Sequence, residues 1–390
     1  MARIARSLAL AAVAAAALAG GCSSNENDAA PGTGAWRPTR PMQSARAFAA
    51  HTILADGTVL AMGGDRHTEG PAWAVGTAER FDPATETWSG AGVLAVARGY
   101  PAAARLGDGR VLLLGGIGAA DVLLKSAELH DPSNSSWTLT EGGLAVARAG
   151  PSATLLPTGK VLVAGGSTWT TADSGQAIAS AEVFDPASGT FTTTGAMHHA
   201  RFNHGVTLLP SGKVLVAGGC DSGACTSGTE TAELYDPGAG TWTLVASLPA
   251  ARVGLQLTLL PSGSVLATGG CLNEESCGGE MRSTYLWREG ESAWHPAAPM
   301  AWGHGLHFAG LLPSGKVLVV AGDNPHGRAV AGEVYDPATD SWAVTGDPWT
   351  FHGAGVVGAV LSDGRVLLAG GSHFEESALD ATREAELYGP

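Results

Sequence analysis

The stretch LLPSGKVLVAGG, residues 208–219, contains an apolar run, a Pro-Ser-Gly turn, a second apolar run and a glycine pair. Near-copies of it recur through the 390-residue chain. Because proline restricts φ and glycine permits the positive φ of a tight turn, the stretch predicts a β-hairpin. The second run is apolar throughout, which indicates a strand buried on both faces.

The glycine pairs divide the chain into seven repeats with a period of 49–53 residues. Each repeat continues with a variable loop, a segment such as AELYDP, and an aromatic residue that begins a fourth strand. A period near 50 residues is typical of a four-stranded propeller blade. The second residue of each pair is Gly64, Gly116, Gly166, Gly219, Gly270, Gly322 and Gly371, and Ala321 replaces the first glycine in the sixth repeat.

The strand count predicts how the ring closes. Six repeats are complete, whereas the seventh stops after its third strand, at EAELYGP. The segment AWRPT around Trp36 would supply the missing strand, so we expect the N-terminal strand to pair into the last blade and remove the exposed edges. The predicted fold is an all-β, seven-bladed propeller over residues 36–390. The predicted blades span residues 44–92, 93–142, 143–195, 196–246, 247–298, 299–346, and 347–390 with 36–40.

The repeat resembles the kelch motif. The glycine pair carries this resemblance together with ERFDPATETW, ELHDPSNSSW, EVFDPASGTF, ELYDPGAGTW and EVYDPATDSW. The segment ARFNH resembles the corresponding strand of the galactose oxidase central domain. That resemblance implies a copper site with an adjacent tyrosine and histidine, but Asn203 precedes His204 here and the chain has no Tyr-His pair. We therefore expect no cofactor.

The first 35 residues predict export. Arg3 and Arg6 precede a short apolar segment, SLALAAVAAAALAGG, which is typical of a signal peptide over residues 1–21. The following LAGGCSS resembles a bacterial lipobox, which implies lipidation of Cys22; ordinary secretion is the alternative. Residues 22–35 then form a flexible tether. The expected location is the bacterial cell envelope, in the outer membrane or periplasm, with the lipid as the only membrane contact.

The net charge limits the classes of binding partner, and the cysteine spacing predicts covalent links within the chain. The net charge of −14 argues against sequence-independent binding of nucleic acid. Cys220 and Cys225 form one close pair, and Cys271 and Cys277 form another. In an exported protein these pairs predict local disulfides, with a zinc site as the weaker alternative. We expect a monomer.

Two polar positions also recur. If the four strands of a repeat are lettered A to D in chain order, an arginine begins strand A in five repeats, with His304 and Gly353 as the predicted equivalents in the last two. A glutamate begins strand C in six repeats, and Tyr285 replaces it in the fifth. Because a buried charge needs a partner, this repetition predicts an Arg–Glu network between blades. The residues are Arg46, Arg98, Arg148, Arg201 and Arg252, and Glu79, Glu128, Glu182, Glu233, Glu333 and Glu386.

The loops from strand B to C and from D to the next A share one face and vary in sequence. Variable loops on a rigid scaffold commonly bind ligands. The tryptophans outside the repeat pattern map to this face. They are either an exposed binding surface or the buried core of a cap formed by the loops themselves. The candidate ligand-binding residues are Trp73, Trp169, Trp302, Trp349, Arg148, Arg201, His199 and Phe374.

The predicted function is binding of a protein or glycan through this face. An enzyme is the alternative, either metal-dependent or acting on sugars as in the kelch-type sialic acid mutarotases. Three converging imidazoles would suit zinc, copper or nickel, and His304, His307 and His352 are the candidates. No catalytic residue is predicted.

Overall fold

The computed structural model describes residues 34–66, 73–168, 170, 175–223, 225–272, 281–322, 331–375 and 378–389, without the side chains of 373–375, 378 and 379. Seven four-stranded antiparallel sheets form a seven-bladed propeller. The A strands of neighbouring blades contact each other, so they form the inner wall. The predicted all-β fold is confirmed. The predicted signal peptide, most of the tether and Cys22 lie outside the described residues.

The first four blades follow the predicted order of strands A to D. They are β2 (Ala50–Ile53), β3 (Val59–Met62), β4 (Thr77–Asp82) and β5 (Thr87–Val93); β6 (Ala102–Arg105), β7 (Val111–Leu114), β8 (Ala127–Asp131) and β9 (Ser136–Leu139); β10 (Ser152–Leu155), β11 (Val161–Ala164), β12 (Ala181–Asp185) and β13 (Thr190–Thr193); and β14 (Gly205–Leu208), β15 (Val214–Ala217), β16 (Ala232–Asp236) and β17 (Thr241–Val245).

The last three blades continue the series, and a two-stranded hairpin is inserted in blade seven. Blade seven takes its outermost strand from the N-terminus. The strands are β18 (Gln256–Leu259), β19 (Val265–Thr268), β20 (Thr284–Trp287) and β21 (His295–Ala297); β22 (Phe308–Leu311), β23 (Val317–Val320), β24 (Glu333–Asp336) and β25 (Ser341–Val344); β26 (Val357–Val360), β27 (Val366–Ala369), β30 (Ala385–Gly389) and β1 (Ala35–Pro38); and the hairpin β28 (Ser372–Glu375) and β29 (Ala378–Ala381).

The 208–219 stretch forms the expected hairpin between β14 and β15. Lys213 O accepts the N–H of Leu209 at 2.8 Å, and Gly212 takes a φ of +83° in the turn. Every residue of β15 is buried. The hairpin therefore lies in the middle of the sheet stack, with neighbouring blades on both sides.

The glycine pairs join successive blades. The N–H of Gly219 donates to Arg252 O at 2.7 Å, and a Cβ on Gly218 would lie only 2.5 Å from that same oxygen. Glycine accommodates this approach without a Cβ, and in blade six Ala321 occupies the first position of the pair at a φ of +64°. The bond recurs at all seven junctions, as Gly64–Arg98, Gly116–Arg148, Gly166–Arg201, Gly219–Arg252, Gly270–His304, Gly322–His352 and Gly371–Arg46.

This ring of bonds corrects one alignment. In blade seven the residue equivalent to the repeated arginine is His352, not Gly353, because His352 O accepts the N–H of Gly322. Blade seven has one additional residue before strand A: its positive-φ residue Gly355 follows His352 by three positions, whereas Leu306 follows His304 by two. Sequence spacing alone could not locate this insertion.

The N-terminal strand closes the ring as predicted. Trp36 pairs with Tyr388 across β1 and β30, and the Trp36 side chain is buried. The indole of Trp36 donates to Thr345 Oγ1 at 3.3 Å. Arg37 of the same strand forms an ion pair with Glu86 of blade one. The strand therefore connects blade seven to both neighbours.

The strand D tryptophans pack neighbouring blades together. The Trp242 ring lies 5.1 Å from the Tyr235 ring, and its indole donates to Gly195 O of the preceding blade at 2.8 Å. Trp137, Trp294 and Trp342 make equivalent bonds to the preceding blade. The repeated aromatics are thus core residues. Within the described ranges, no helix has the length and apolar character needed to cross a membrane.

Candidate functional site

One face of the propeller carries the B–C and D–A connections, and we call it the loop face. Successive strands of a blade alternate in direction, which brings these two sets of connections to the same side. The B–C connections are residues 63–76, 115–126, 165–180, 218–231, 269–283, 321–332 and 370–384. The D–A connections are residues 39–49, 94–101, 140–151, 194–204, 246–255, 298–307 and 345–356.

A buried arginine lies beneath the loop face in five blades. Arg148 is completely buried and donates to Gly165 O, to Ser180 O and Oγ, and to Glu182 Oε1, at 2.8–2.9 Å. All these partners belong to blade three. The predicted network between blades is therefore wrong: each network lies within one blade. The sequence could not show this, because each of the first four repeats supplies both an arginine and a glutamate.

Both arginine candidates are buried and donate hydrogen bonds from their two terminal nitrogens. Arg201 repeats the contacts of Arg148, with Gly218 O, Thr231 O and Glu233 Oε1 at 2.7–2.9 Å. Burial lowers the pKa of Arg201, and the charge and hydrogen bond of Glu233 oppose that shift. Arg148 and Arg201 thus shape the face from below and do not present a side chain to a ligand.

Each buried glutamate fixes a D–A loop. Glu182 accepts the backbone N–H of Ala145 at 2.8 Å, and Glu233 accepts those of His198 and His199 at 2.7 and 3.1 Å. Burial raises the pKa of Glu233, but these hydrogen bonds and Arg201 together hold it below its usual value. The pairs of N–H donors are Gln43–Ser44, Ala95–Val96, Ala145–Val146, His198–His199, Ala301–Trp302 and Trp349–Thr350.

The tryptophan candidates divide into two groups. Trp302 is 41% exposed and Trp349 is 73% exposed, at equivalent loops of blades six and seven. Trp73 is only 8% exposed and packs with Ile117 and Ala149, so the loop-cap alternative holds for it. Trp169 lies outside the described residues. The exposed pair, Trp302 and Trp349, is named the loop-face tryptophans.

Two other candidates have different surroundings. His199 is exposed in the D–A loop of blade four, where its backbone N–H binds Glu233. Phe374 pairs through its backbone with Leu379 in the β28–β29 hairpin. The side chain of Phe374 lies outside the described part of the chain.

A collar of left-handed residues surrounds the inner end of the loop face. Each of these residues lies two or three positions after the repeated arginine or histidine. Collar residues of adjacent blades form backbone hydrogen bonds; for example, the N–H of Leu306 donates to Gly254 O at 3.0 Å. Three blades use glycine, but four retain a side chain at positive φ, which costs about 1 kcal/mol or more each. The collar residues are Phe48, Tyr100, Gly150, Asn203, Gly254, Leu306 and Gly355.

The collar has an aromatic side. The rings of Phe48 and Tyr100 stack with centroids 4.7 Å apart, and Tyr100 Oη lies 3.4 Å from Asp65 Oδ2. Sequence reasoning missed this pair. The only sign of the pair in the sequence is a bulky residue two positions after the repeated arginine. Such a residue looks like an ordinary strand residue until its positive φ is known.

The three histidine candidates for a metal site make separate hydrogen bonds. His304 Nδ1 lies 2.9 Å from Ala321 O, His352 Nδ1 lies 2.7 Å from Gly370 O, and His307 Nε2 lies 2.9 Å from Thr268 Oγ1. Within the described residues, no three His, Cys, Asp or Glu side chains are grouped as metal ligands. The three imidazoles therefore do not form the shared site that the sequence suggested.

The residues at the galactose oxidase copper position do not fit that metal. Asn203 lacks the phenol, and His204 Nε2 lies 3.0 Å from Ser152 Oγ of blade three. Burial, aided by the positive charge of Arg201, lowers the pKa of His204 to about 3. His204 is therefore a neutral residue that links two blades.

The cysteines follow the predicted pairing where they are described. Cys220 and Cys225 form a buried disulfide with a Cα–Cα distance of 5.0 Å, which confirms the first prediction. Cys271 is also disulfide-bonded, but Cys277 lies outside the described residues. The disulfides lie at the start of the B–C connections of blades four and five.

Comparison with known proteins agrees with the fold. Residues 201–249 match the kelch motif family model. Galactose oxidase from Gibberella zeae is 29% identical over 279 residues, which cover 64% of this chain and 40% of the relative. Kelch-like protein 34 from Homo sapiens is 26% identical over 190 residues, covering 49% and 28%. The chain thus spans less than half the length of these relatives.

Two solved structures share the architecture. A fungal alcohol oxidase of the AA5 family in complex with copper superposes with a TM-score of 0.72 at 19% identity, covering 92% of this chain and 76% of that chain. The structure of YjhT superposes with a TM-score of 0.58 at 15% identity, covering 79% and 99%. The protein is a kelch-repeat β-propeller, and it resembles galactose oxidase.

Proposed function

We propose that the protein is a binding module that holds a protein partner on its loop face. The observation that carries the proposal is the pair of exposed tryptophans on the equivalent D–A loops of adjacent blades. Their backbones are fixed by buried carboxylates, so the rings are displayed at little cost in ordering. Tryptophan is enriched among the residues that dominate protein–protein affinity.

The collar supports the same face. Phe48, Tyr100 and Leu306 keep large side chains in a backbone conformation that glycine adopts without strain. Strain of this kind is concentrated at binding and active sites. A carbohydrate partner is the second candidate, which the likeness to galactose oxidase and the stacked Phe48–Tyr100 pair favour.

The binding proposal is tested by selecting ligands for the full chain with Cys22→Ser, which prevents lipidation. A random-peptide library and a glycan array are screened in parallel against this protein and against the same protein carrying W302A and W349A. Peptides that bind the chain with both tryptophans, and do not bind the chain with W302A and W349A, support the proposal. Peptide binding that is unchanged in the variant contradicts the loop-face assignment, and glycan binding alone favours the second candidate.

We further propose that the protein is exported and anchored through Cys22 in a bacterial cell envelope. The signal-like segment and the lipobox resemblance support this location, and so do the disulfides, which persist in oxidising compartments. Globomycin, which blocks lipoprotein signal peptidase, should cause the precursor to accumulate in expressing cells. An unchanged mature product would show that Cys22 is not processed in this way.

A further inference from the structure

Two blades differ from the others beneath the loop face, and they are the blades that expose the loop-face tryptophans. In blades one to four a permanently charged arginine holds the glutamate that fixes the D–A loop. In blades six and seven a histidine takes the arginine position, as His304 and His352. Imidazole changes charge near neutral pH, whereas guanidinium does not.

Each histidine makes one of the contacts of the arginine that it replaces, the one to a backbone carbonyl. His304 Nδ1 contacts Ala321 O at 2.9 Å, at the position where Arg148 Nη1 contacts Gly165 O. Since a carbonyl only accepts, Nδ1 must carry a proton there. His352 makes the same contact to Gly370 O at 2.7 Å.

The second nitrogen of each ring faces a buried carboxylate. His304 Nε2 lies 3.6 Å from Glu333 Oε1, and His352 Nε2 lies 3.4 Å from Glu386 Oε1. A neutral ring with its proton on Nδ1 would point a lone pair at the carboxylate. Only the protonated ring has an N–H for it, and the two Nε2 atoms are buried without a hydrogen-bond partner among the described residues.

The same carboxylates hold the loop-face tryptophans. Glu333 accepts the N–H groups of Ala301 and Trp302 at 2.6 and 2.9 Å, and Glu386 accepts the N–H of Trp349 at 2.8 Å. Loss of the imidazolium leaves each buried carboxylate without its counter-charge, which is destabilising. The loop that depends on the carboxylate then loosens.

We propose that His304 and His352 make the presentation of the loop-face tryptophans depend on pH. Each loop is held while Nε2 carries a proton toward its carboxylate, and it loosens as that proton is lost at higher pH. This control of the site rests on the proposed function, but its structural basis is independent of any ligand.

Among the described residues, the carboxylates that lie nearest the two imidazoles are Glu333 and Glu386. His304 faces Glu333 on strand C. His307 lies in the same D–A connection as His304, with 5.9 Å between the ring centroids, and Arg252 of blade five is near His307. Burial, aided by His304 and Arg252, holds the pKa of His307 well below its usual value, so His307 stays neutral in this range. Burial raises the pKa of Glu386, but His352 and the hydrogen bonds of the loop N–H groups together hold it below its usual value.

The residue two positions before the strand C glutamate also differs between the arginine blades and the histidine blades. In all five arginine blades a threonine or serine hydroxyl accepts from the guanidinium, as Ser180 does from Arg148 at 2.9 Å. Blades six and seven have Ala331 and Glu384 at the corresponding position. The double variant H304R/A331S would therefore restore the complete arginine network in blade six.

Hydrogen exchange of the ligand-free full chain tests the proposal. Protection factors, corrected for intrinsic exchange, are compared at about pH 5.5 and about pH 8, on either side of the usual imidazole titration. We expect protection of the Trp302 and Trp349 amides to fall several-fold at the higher pH, because each buried carboxylate then lacks its counter-charge. The amides of Ala95 and Ala145, held by arginine-paired glutamates, should change little.

The variant makes the test specific to one blade. In H304R/A331S, the pH dependence at Trp302 should disappear while that at Trp349 remains. If both tryptophan amides follow the same pH dependence as Ala95 in the natural protein, the proposal is wrong. Should the variant fail to fold, this comparison between blades within the natural protein still decides. Because no ligand is added, failure here is distinct from failure to bind a partner.

Discussion

Glu333 accepts the backbone N–H of Trp302 at 2.9 Å, so a buried carboxylate fixes a loop whose indole is exposed. The same arrangement connects Glu386 to Trp349 in the next blade. In both blades a core position of the repeat determines where a surface side chain stands. Structural and surface roles are thus coupled through one hydrogen-bond network.

The buried arginines should be essential for stability. Replacing Arg148 with alanine leaves Glu182 as a buried charge without its partner and removes donors from two carbonyl groups. We expect the free energy of unfolding to fall by about 3–5 kcal/mol, measured by urea denaturation. The exposed Lys160–Asp185 pair supplies a control, and K160A should leave the midpoint close to that of the natural protein. A similar, small effect from both variants would refute the structural role.

His130 should make the protein sensitive to acid. It occupies the strand C aromatic position, stacks on Trp137 at 4.7 Å, and has two buried ring nitrogens without a partner in the described chain. Burial lowers its pKa, and the charge of Arg80 adds to this, although Asp131 opposes it. Because the unfolded chain takes up a proton near pH 6.5 and the folded chain does not, stability falls as pH drops below that value.

The variant H130F tests this effect, because Phe81 and Phe184 occupy the same position in other blades. Removing the two unsatisfied nitrogens should stabilise the protein by about 1–3 kcal/mol at pH 7.5. The loss of stability toward pH 5 should also become shallower, by up to about 1.4 kcal/mol per pH unit. Unfolding curves over this pH range measure both quantities. An unchanged acid slope would assign the sensitivity to the other buried histidines.

The N-terminal strand should be required for a closed, monomeric ring. Deletion of residues 1–38 removes β1 and exposes the edge of β30, together with the packing and hydrogen bond of Trp36. An exposed edge strand invites pairing with another chain. We expect a lower unfolding midpoint and concentration-dependent association by light scattering. Deletion of residues 1–33 keeps β1 and is the control, and equal behaviour of the two truncations would contradict the closure role.

The sequence predicts the fold well because the repeat is dictated by local geometry. Gly218 and Gly219 are required by the close approach of the next blade, and Trp36 completes a strand count that is one short. The site is less accessible to prediction. Trp73 and Trp349 look alike in sequence, but the first packs on Ile117 while the second projects beside Trp36, and tertiary contacts alone distinguish them.

The polar network shows a second limit. The positions of Arg148 and Glu182 recur along the chain as an arginine and a glutamate. Recurrence cannot distinguish a pair within one blade from a pair between two blades. The exchange of arginine for histidine was visible at His304 and was misplaced by one residue at His352. The extra residue that precedes strand A became evident only through the bond from Gly322.

The most direct test of the central claim is the affinity of a selected peptide for four proteins, measured by calorimetry. These are the C22S chain, its W302A and W349A derivatives, and K160A/K213A, which alters the opposite face. Each tryptophan replacement should weaken binding about 30-fold, as expected when an anchor worth about 2 kcal/mol is removed, and K160A/K213A should leave affinity unchanged. Unchanged affinity in both tryptophan variants, with a loss in K160A/K213A, would show that the partner does not bind the loop face.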